Sequence, residues 1–137
     1  MFTLTSPASA EYNCIAWAAE DTGRFWWPDP MKIGYWPPDV VREVTLEAFV
    51  AAYGTLGYEL CGDGEFEPGY QKVAIYCRLG KPAHAARQLP TGAWTSKLGK
   101  FVDVSHGTLE AVLQIRGCIS YGLPARFLRR PVREIAP

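Results

Sequence analysis

Residues 72–98 read KVAIYCRLGKPAHAARQLPTGAWTSKL, a segment with the pattern of successive strands. Three short runs rich in apolar residues are separated by two turn sequences, at 79–82 and 90–92, where glycine and proline are concentrated. The pattern predicts strands over 72–78, 83–89 and 93–98, joined in that order as an antiparallel meander.

Two helices are predicted before the meander. The clearer one covers 45–57, with Thr45 as its N-cap and Gly57 as its stop, because its apolar residues recur on one helical face. That apolar face consists of Leu46, Phe49, Val50, Tyr53 and Leu56. A shorter helix is expected over about 13–21, where alanine-rich sequence follows Asn13, a good N-cap residue.

The remaining segments complete the expected order of elements. A loop broken by prolines covers 24–40, a short strand covers 58–60, a further helix candidate covers 109–113, and a closing strand covers 125–129. No repeat or linker divides the 137 residues. We therefore predict a single domain over 1–137 of the α+β class, in which N-terminal helices pack on a mostly antiparallel sheet.

Composition argues against several kinds of partner and cofactor. The 14 basic and 14 acidic residues cancel, so no net charge attracts the chain to nucleic acid or to an anionic membrane. The four cysteines lack the close pairs typical of zinc sites, and only two histidines are present. The N-terminus does not resemble a signal peptide. We expect a cytoplasmic protein with no metal, cofactor, nucleic-acid partner or membrane association, whose oligomeric state the sequence leaves open.

Cys14 is the candidate nucleophile because it lies in the first turn of the predicted short helix. Unpaired N–H groups and the helix dipole at that end favour thiolate over thiol, and the same N–H groups can receive an oxyanion. A thiolate of this kind needs a base that titrates near neutrality. His84, at the start of a strand, is favoured over His106, which lies in a polar segment before the helix candidate.

The residue that would orient His84 depends on the register of the second turn. A three-residue loop at 90–92 places Ser96 on the same face as His84, one diagonal step away. A two-residue loop would instead place Thr95 and Lys97 on that face. Ser96 is therefore the predicted third residue, and Asp103 is its competitor.

The arrangement of these residues resembles the papain-like cysteine hydrolase fold, most closely its NlpC/P60 and CHAP branches. In those families a cysteine begins a helix, as Cys14 does within NCIAWA, and a histidine begins a strand, as His84 does. A polar residue on the next strand orients the histidine, and Ser96 follows His84 by 12 residues. Ser96 departs from the His, Asn, Gln or acidic residue that is usual there.

This resemblance implies a cysteine hydrolase of the peptidase or amidase type. Cys14 would attack a carbonyl carbon, and His84 would accept the thiol proton and return it to the leaving group. The Cys14 N–H and the Asn13 side chain would hold the oxyanion. The chain is also similar to uncharacterised bacterial domains that share YNCIAWA, at 12–18, and WTSKLG, at 94–99, and that similarity implies no established activity.

The loop over 24–40, which we call the aromatic loop, supports an alternative to catalysis. In an enzyme, its tryptophans would form a hydrophobic wall beside Cys14 that binds substrate. The predicted substrate-binding residues are Trp17, Trp26, Trp27 and Trp36. The same loop would hold a peptide or protein partner in a non-catalytic regulatory domain. A peptide or protein is the expected substrate or partner in both cases.

Overall fold

A computed structural model of the chain describes residues 2–6, 13–97, 103–106 and 122–132. Within these residues, seven strands and two helices form an α+β structure. The strands are β1 (Phe2–Ser6), β2 (Glu59–Cys61), β3 (Tyr70–Arg78), β4 (Lys81–Gln88), β5 (Trp94–Lys97), β6 (Asp103–His106) and β7 (Leu123–Pro131), and the helices are α1 (Cys14–Ala18) and α2 (Leu46–Gly54). The strands pair antiparallel in the order β1-β6-β5-β4-β3-β7-β2. The α+β prediction is confirmed.

The predicted meander is formed by β3, β4 and β5. Its first turn contains only Leu79 and Gly80, with φ of 53° and 78°, because a tight turn that follows the strand twist needs positive φ at both central positions. β4 therefore begins two residues earlier than predicted. At the second turn the Leu89 N–H donates to the Ala93 carbonyl at 2.7 Å, which confirms the three-residue loop.

Strand β7 confirms the predicted closing strand, extends it at both ends, and lies between β3 and β2. The sequence predicts neither β1 nor β6, which pair with each other, while β6 also pairs with β5. The helix candidate at 109–113 lies outside the described residues.

Both predicted N-caps are confirmed. The Asn13 side chain accepts a hydrogen bond from the Ala16 N–H, and Thr45 accepts one from the Ala48 N–H. Both helices end earlier than predicted: α1 ends at Ala18, and α2 ends at Gly54 rather than at 57. Within the described residues, no helix is long and apolar enough to cross a membrane.

The two helices pack on one side of the sheet, which we call the helical face. The sheet residues that join them in one hydrophobic core are Val73, Ile75, Ala85 and Leu128. Side chains alternate along a strand, so the intervening residues point to the other side, which we call the back face. The back-face residues used below are Ala74, Tyr76, His84, Ala86, Trp94 and Ser96. They are also buried, so the centre of the sheet is covered on both sides.

Candidate functional site

The start of α1 is built around Asn13. Its Oδ1 accepts hydrogen bonds from the Ala16 and Trp26 N–H groups at 3.1 and 3.0 Å, and its Nδ2 donates to the Trp26 carbonyl at 2.6 Å. Cys14 follows as the first residue of α1 and is buried. All three contacts of the Asn13 amide go to backbone groups. The amide therefore holds the aromatic loop against the helix.

His84 and Ser96 meet on the back face. His84 Nε2 lies 3.0 Å from Ser96 Oγ, and both side chains are buried. The His84 ring packs edge-on against Tyr76, with 5.0 Å between ring centroids. This contact follows from the register in which Arg87 pairs with Thr95. The competing candidate, Asp103, begins β6, and its backbone pairs with that of Lys97.

Cys14 and His84 belong to opposite sides of the sheet. Helix α1 packs on the helical face, where Trp17 Nε1 donates to Thr95 Oγ1 at 3.0 Å. Thr95 and Ser96 are successive residues of β5, so their side chains point to opposite faces. The structure therefore brings His84 to Ser96 and does not bring it to Cys14.

The tryptophans of the aromatic loop are packing residues. Trp26 and Trp36 are buried in the core, and Trp27 packs against it. The Trp27 and Trp36 rings contact Phe49 of α2, with centroids 5.5 and 5.0 Å apart. The Trp36 indole donates to the Val41 carbonyl at 2.9 Å. The loop instead exposes Phe25, Met31 and Ile33, and Val41, directly after it, is also exposed.

The tip of this loop is held by Asp29 and Arg42. The Asp29 carboxylate accepts hydrogen bonds from the Ile33 and Gly34 N–H groups at 2.8 and 2.7 Å, and these bonds lower the pKa of Asp29. The Arg42 guanidinium donates to the carbonyls of Asp29 and Gly34, both at 2.8 Å. The exposed side chains of Met31 and Ile33 are therefore carried on a braced turn.

The end of α1 holds an unusual residue. The Glu20 N–H donates to the Trp17 carbonyl at 3.0 Å and the Asp21 N–H donates to the Ala16 carbonyl at 2.9 Å, which is the Schellman pattern. In that pattern the residue at the Glu20 position is left-handed and is usually glycine, and Glu20 has φ of 62°. A residue with a Cβ atom pays about 1–2 kcal/mol for this conformation. The observation calls for a role of the Glu20 side chain.

The Glu20 carboxylate joins two strands of the sheet. Its Oε1 accepts hydrogen bonds from Gln71 Nε2 of β3 and Arg130 Nη2 of β7, both at 2.8 Å. Gln71 and Arg130 are paired residues in the sheet. The Arg130 guanidinium also donates to the Leu56 carbonyl at 3.0 Å and lies 4.6 Å from the centroid of the Tyr58 ring. Arg130 is thus fixed by three separate contacts.

Two cavities share Glu20, Gln71 and Val132 in their walls, and together we call them the Glu20 cleft. The first, of about 840 Å³, is also lined by Thr55, Leu56, Gly57, Arg130 and Pro131. The second, of about 490 Å³, is also lined by Phe66, Gly69, Tyr70, Arg87, Gln88, Leu89 and Pro90. Both volumes lie in the range of ligand-binding pockets, and both cavities combine apolar walls with a few polar groups.

Two buried polar atoms near residues of this cleft lack hydrogen bonds within the described part of the chain. One is Oε1 of Gln88, a residue that lines the second cavity and is 5% exposed. The other is the Tyr58 hydroxyl, which lies close enough to Arg130, Glu20 and Arg87 to interact with their charges. Burial raises the pKa of Tyr58 to about 12. Unsatisfied buried groups are rare and need an explanation.

The Glu20 cleft is not predicted from the sequence. Glu20 falls inside the predicted helix over 13–21, whereas α1 ends before it. The cleft residues Gln71, Arg87 and Arg130 come from three different strands, so no local pattern connects them. A cleft assembled from distant segments leaves no signal in residue spacing.

Comparison with known proteins identifies a family. Residues 3–129 match a family model described as a domain of unknown function, DUF7689. No curated protein matches the chain, and no solved structure matches it. The matched range contains Cys14, His84 and Ser96 as well as Glu20 and Arg87. The chain therefore belongs to the DUF7689 family.

Proposed function

We propose that this chain is a non-catalytic module that binds a peptide or protein segment in the Glu20 cleft. The observation that carries the proposal is Glu20 itself. Glu20 has a left-handed backbone conformation. Its carboxylate bonds to Gln71 and Arg130 at the wall that the two cavities share.

The shape and chemistry of the cleft favour an extended peptide. The two cavities share Glu20 and Gln71 in their walls, and the first is also lined by Leu56 and the second by Leu89. Alternate side chains of an extended segment are about 7 Å apart, so two of them would occupy the two cavities. Arg87 also lines the second cavity, so that cavity combines apolar walls with a charged group.

A papain-like hydrolase mechanism is less well supported. It requires the thiolate and the imidazole on the same side of the sheet, because the proton must pass directly between them. Here Cys14 belongs to the helical face and His84 to the back face, and Asn13 is occupied by Trp26. The proposal therefore includes no thiol chemistry.

The experiment is a selection of peptides on the immobilised protein from a random library with free C-termini. Enriched peptides are then synthesised, and their affinities are measured by fluorescence anisotropy. They are compared on wild type, on Glu20→Gly, and on the double variant Met31→Ser/Ile33→Ser. Glu20→Gly removes the carboxylate while relieving the backbone strain, so we expect the variant to fold. The double variant is the matched control, because it changes the exposed loop tip and leaves the cleft intact.

We expect peptides that bind wild type and the loop-tip variant equally and bind Glu20→Gly at least about tenfold more weakly. The loss arises because Glu20 fixes Arg130 and Gln71 in the cleft wall, and losing a charged hydrogen bond costs about 1.5–3 kcal/mol. Equal affinity for all three proteins would overturn the proposal, as would a library from which no peptide is enriched. A loss of peptide affinity in the loop-tip variant alone would show that the binding site lies at Met31 and Ile33.

A further inference from the structure

We infer that the bound segment presents a carboxylate to Arg87. This inference rests on the proposed function of the Glu20 cleft, and it names the chemical group that the second cavity recognises. The carboxylate belongs to the C-terminus of the segment or to an Asp or Glu side chain, and the experiment below separates these two sources.

Arg87 differs from the other partly buried arginines of the described residues. Arg42 is paired with Asp29, Arg129 with Glu59 and Glu67, and Arg130 with Glu20. In the part of the chain that the structure describes, no carboxylate lies within 4.0 Å of Arg87. A partly buried guanidinium without a counter-charge pays a desolvation cost that an anionic ligand would offset.

The existing contacts of Arg87 orient its side chain and use only its Nε donor. Its Nε donates to the Trp17 carbonyl over a long 3.4 Å, and the guanidinium carbon lies 5.4 Å from the centroid of the Trp17 ring. Among the described residues, the Nη1 and Nη2 atoms make no hydrogen bond. Two parallel N–H donors in one plane match the two oxygens of a carboxylate.

The charge of the cleft also favours an anion. Its charged wall residues are Glu20, Arg87 and Arg130. Glu20 and Arg130 neutralise each other through a 2.8 Å ion pair, so Arg87 leaves one net positive charge. Arg87 lines the second cavity. That cavity therefore offers a cation for a carboxylate.

The test uses the peptides selected on wild type, each made in three forms. One form has a free C-terminus, one has a C-terminal amide, and one keeps the free C-terminus but carries Asn or Gln in place of Asp or Glu. Affinities are measured on wild type, Arg87→Gln, Arg87→Lys and Arg126→Gln. Arg126 is the matched control, because it is an exposed arginine of β7 outside the cleft walls. Arg87→Lys retains the positive charge and guards against a loss of folding in Arg87→Gln.

We expect removal of one carboxylate to weaken binding to wild type by about tenfold or more. The same removal should have no effect on Arg87→Gln and its full effect on Arg126→Gln. Whichever form loses affinity identifies the source of the carboxylate. Binding of the charged form should also weaken with added salt, whereas binding of the neutral form should not.

Two results would overturn the inference. One is equal binding of all three forms to wild type. The other is a loss of affinity in Arg87→Gln that is as large for the peptide forms that lack a carboxylate as for the form that keeps it. If these peptides still depend on Glu20, the cleft remains the binding site and only the role of Arg87 is lost. If no peptide depends on Glu20, the proposed function itself fails.

Discussion

The two ends of α1 use a polar side chain in opposite ways. At the start, Asn13 has an ordinary extended backbone, and its amide bonds only to the backbone of its own helix and of the neighbouring loop. At the end, Glu20 has a left-handed backbone and reaches strands 51 and 110 residues away in the chain. The requirements of folding explain Asn13. Glu20 instead combines a left-handed backbone with a carboxylate that lies at the wall of two cavities.

One residue connects the two ends. The backbone N–H and carbonyl of Trp26 bond to the Asn13 side-chain amide, and the Trp26 indole Nε1 donates to Asp21 Oδ2 at 2.8 Å. The aromatic loop is thus tied to both ends of α1. A substitution at either end of α1 therefore affects the packing of the same loop. The changes in unfolding free energy that substitutions cause at the two ends can be compared directly.

The largest effect is expected at the start of the helix. Asn13→Ala removes the N-cap and leaves the buried N–H and carbonyl of Trp26 without partners, so we expect a loss of about 3 kcal/mol in unfolding free energy. Urea unfolding measures it. Thr45→Ala, which removes only a partly exposed cap of α2, should cost about 1 kcal/mol. Equal losses would show that Asn13 is no more than a cap.

At the other end, backbone strain is tested by two variants that both remove the carboxylate. Glu20→Gly should be more stable than Glu20→Ala by about 1 kcal/mol, because only glycine adopts the left-handed conformation without strain. Thermal unfolding of the two variants under identical conditions measures the difference. If alanine were as stable as glycine, Glu20 would carry no strain and the argument for its functional role would be lost.

Two tyrosine hydroxyls allow a similar comparison, because Tyr53 lies near the start of α1 and Tyr58 lies near Glu20 at its end. The Tyr53 hydroxyl donates to the Ile15 carbonyl near the start of α1 at 2.9 Å, so Tyr53→Phe should lose about 1 kcal/mol. The Tyr58 hydroxyl is buried near Glu20 and makes no hydrogen bond within the described residues. Tyr58→Phe should therefore gain up to about 1 kcal/mol in unfolding free energy. A loss at Tyr58 would mean that its hydroxyl already has a partner.

A smaller effect is expected from the acid titration of Asp21. Burial opposes the shift, but hydrogen bonds from Trp26 and Gly23 and the ion pair with Arg24 lower the pKa of Asp21. A lowered pKa in the folded state stabilises the protein above the unfolded value of about 3.9. This stabilisation is lost as the pH falls through the lower, folded value. The stability gap between wild type and Asp21→Asn, measured by urea unfolding, should therefore shrink below pH of about 4. A difference in unfolding free energy that stays constant over this pH range would contradict the prediction.

The smallest expected effect is on Cys14. Ser96→Ala changes a partner of His84 on the back face, so we expect no change in the pH profile of Cys14 alkylation, followed by mass spectrometry. Cys61, which is partly exposed, serves as the internal reference for the reagent. A Cys14 profile that moved in Ser96→Ala would show that the thiol senses His84 across the sheet, and it would revive the hydrolase hypothesis.

Residue spacing predicted the local features of this molecule and missed the long-range ones. The meander, the caps Asn13 and Thr45, and the register that joins His84 to Ser96 all depend on neighbouring residues. The side of the sheet on which the helices pack could not be predicted, because both faces are buried. Ala74 and Tyr76 are as buried as Val73 and Ile75, so the strand shows no polar alternation.

The place of β7 in the sheet has a consequence for synthesis of the chain on the ribosome. Strand β7 fills the slot between β3 and β2, although it follows both by many residues. Until residues 123–131 have left the ribosome, β2 has no neighbour and the apolar β3 is an open edge. An open apolar edge invites pairing with other chains. The nascent protein therefore exposes the edge of β3 until β7, the last strand among the described residues, has left the ribosome.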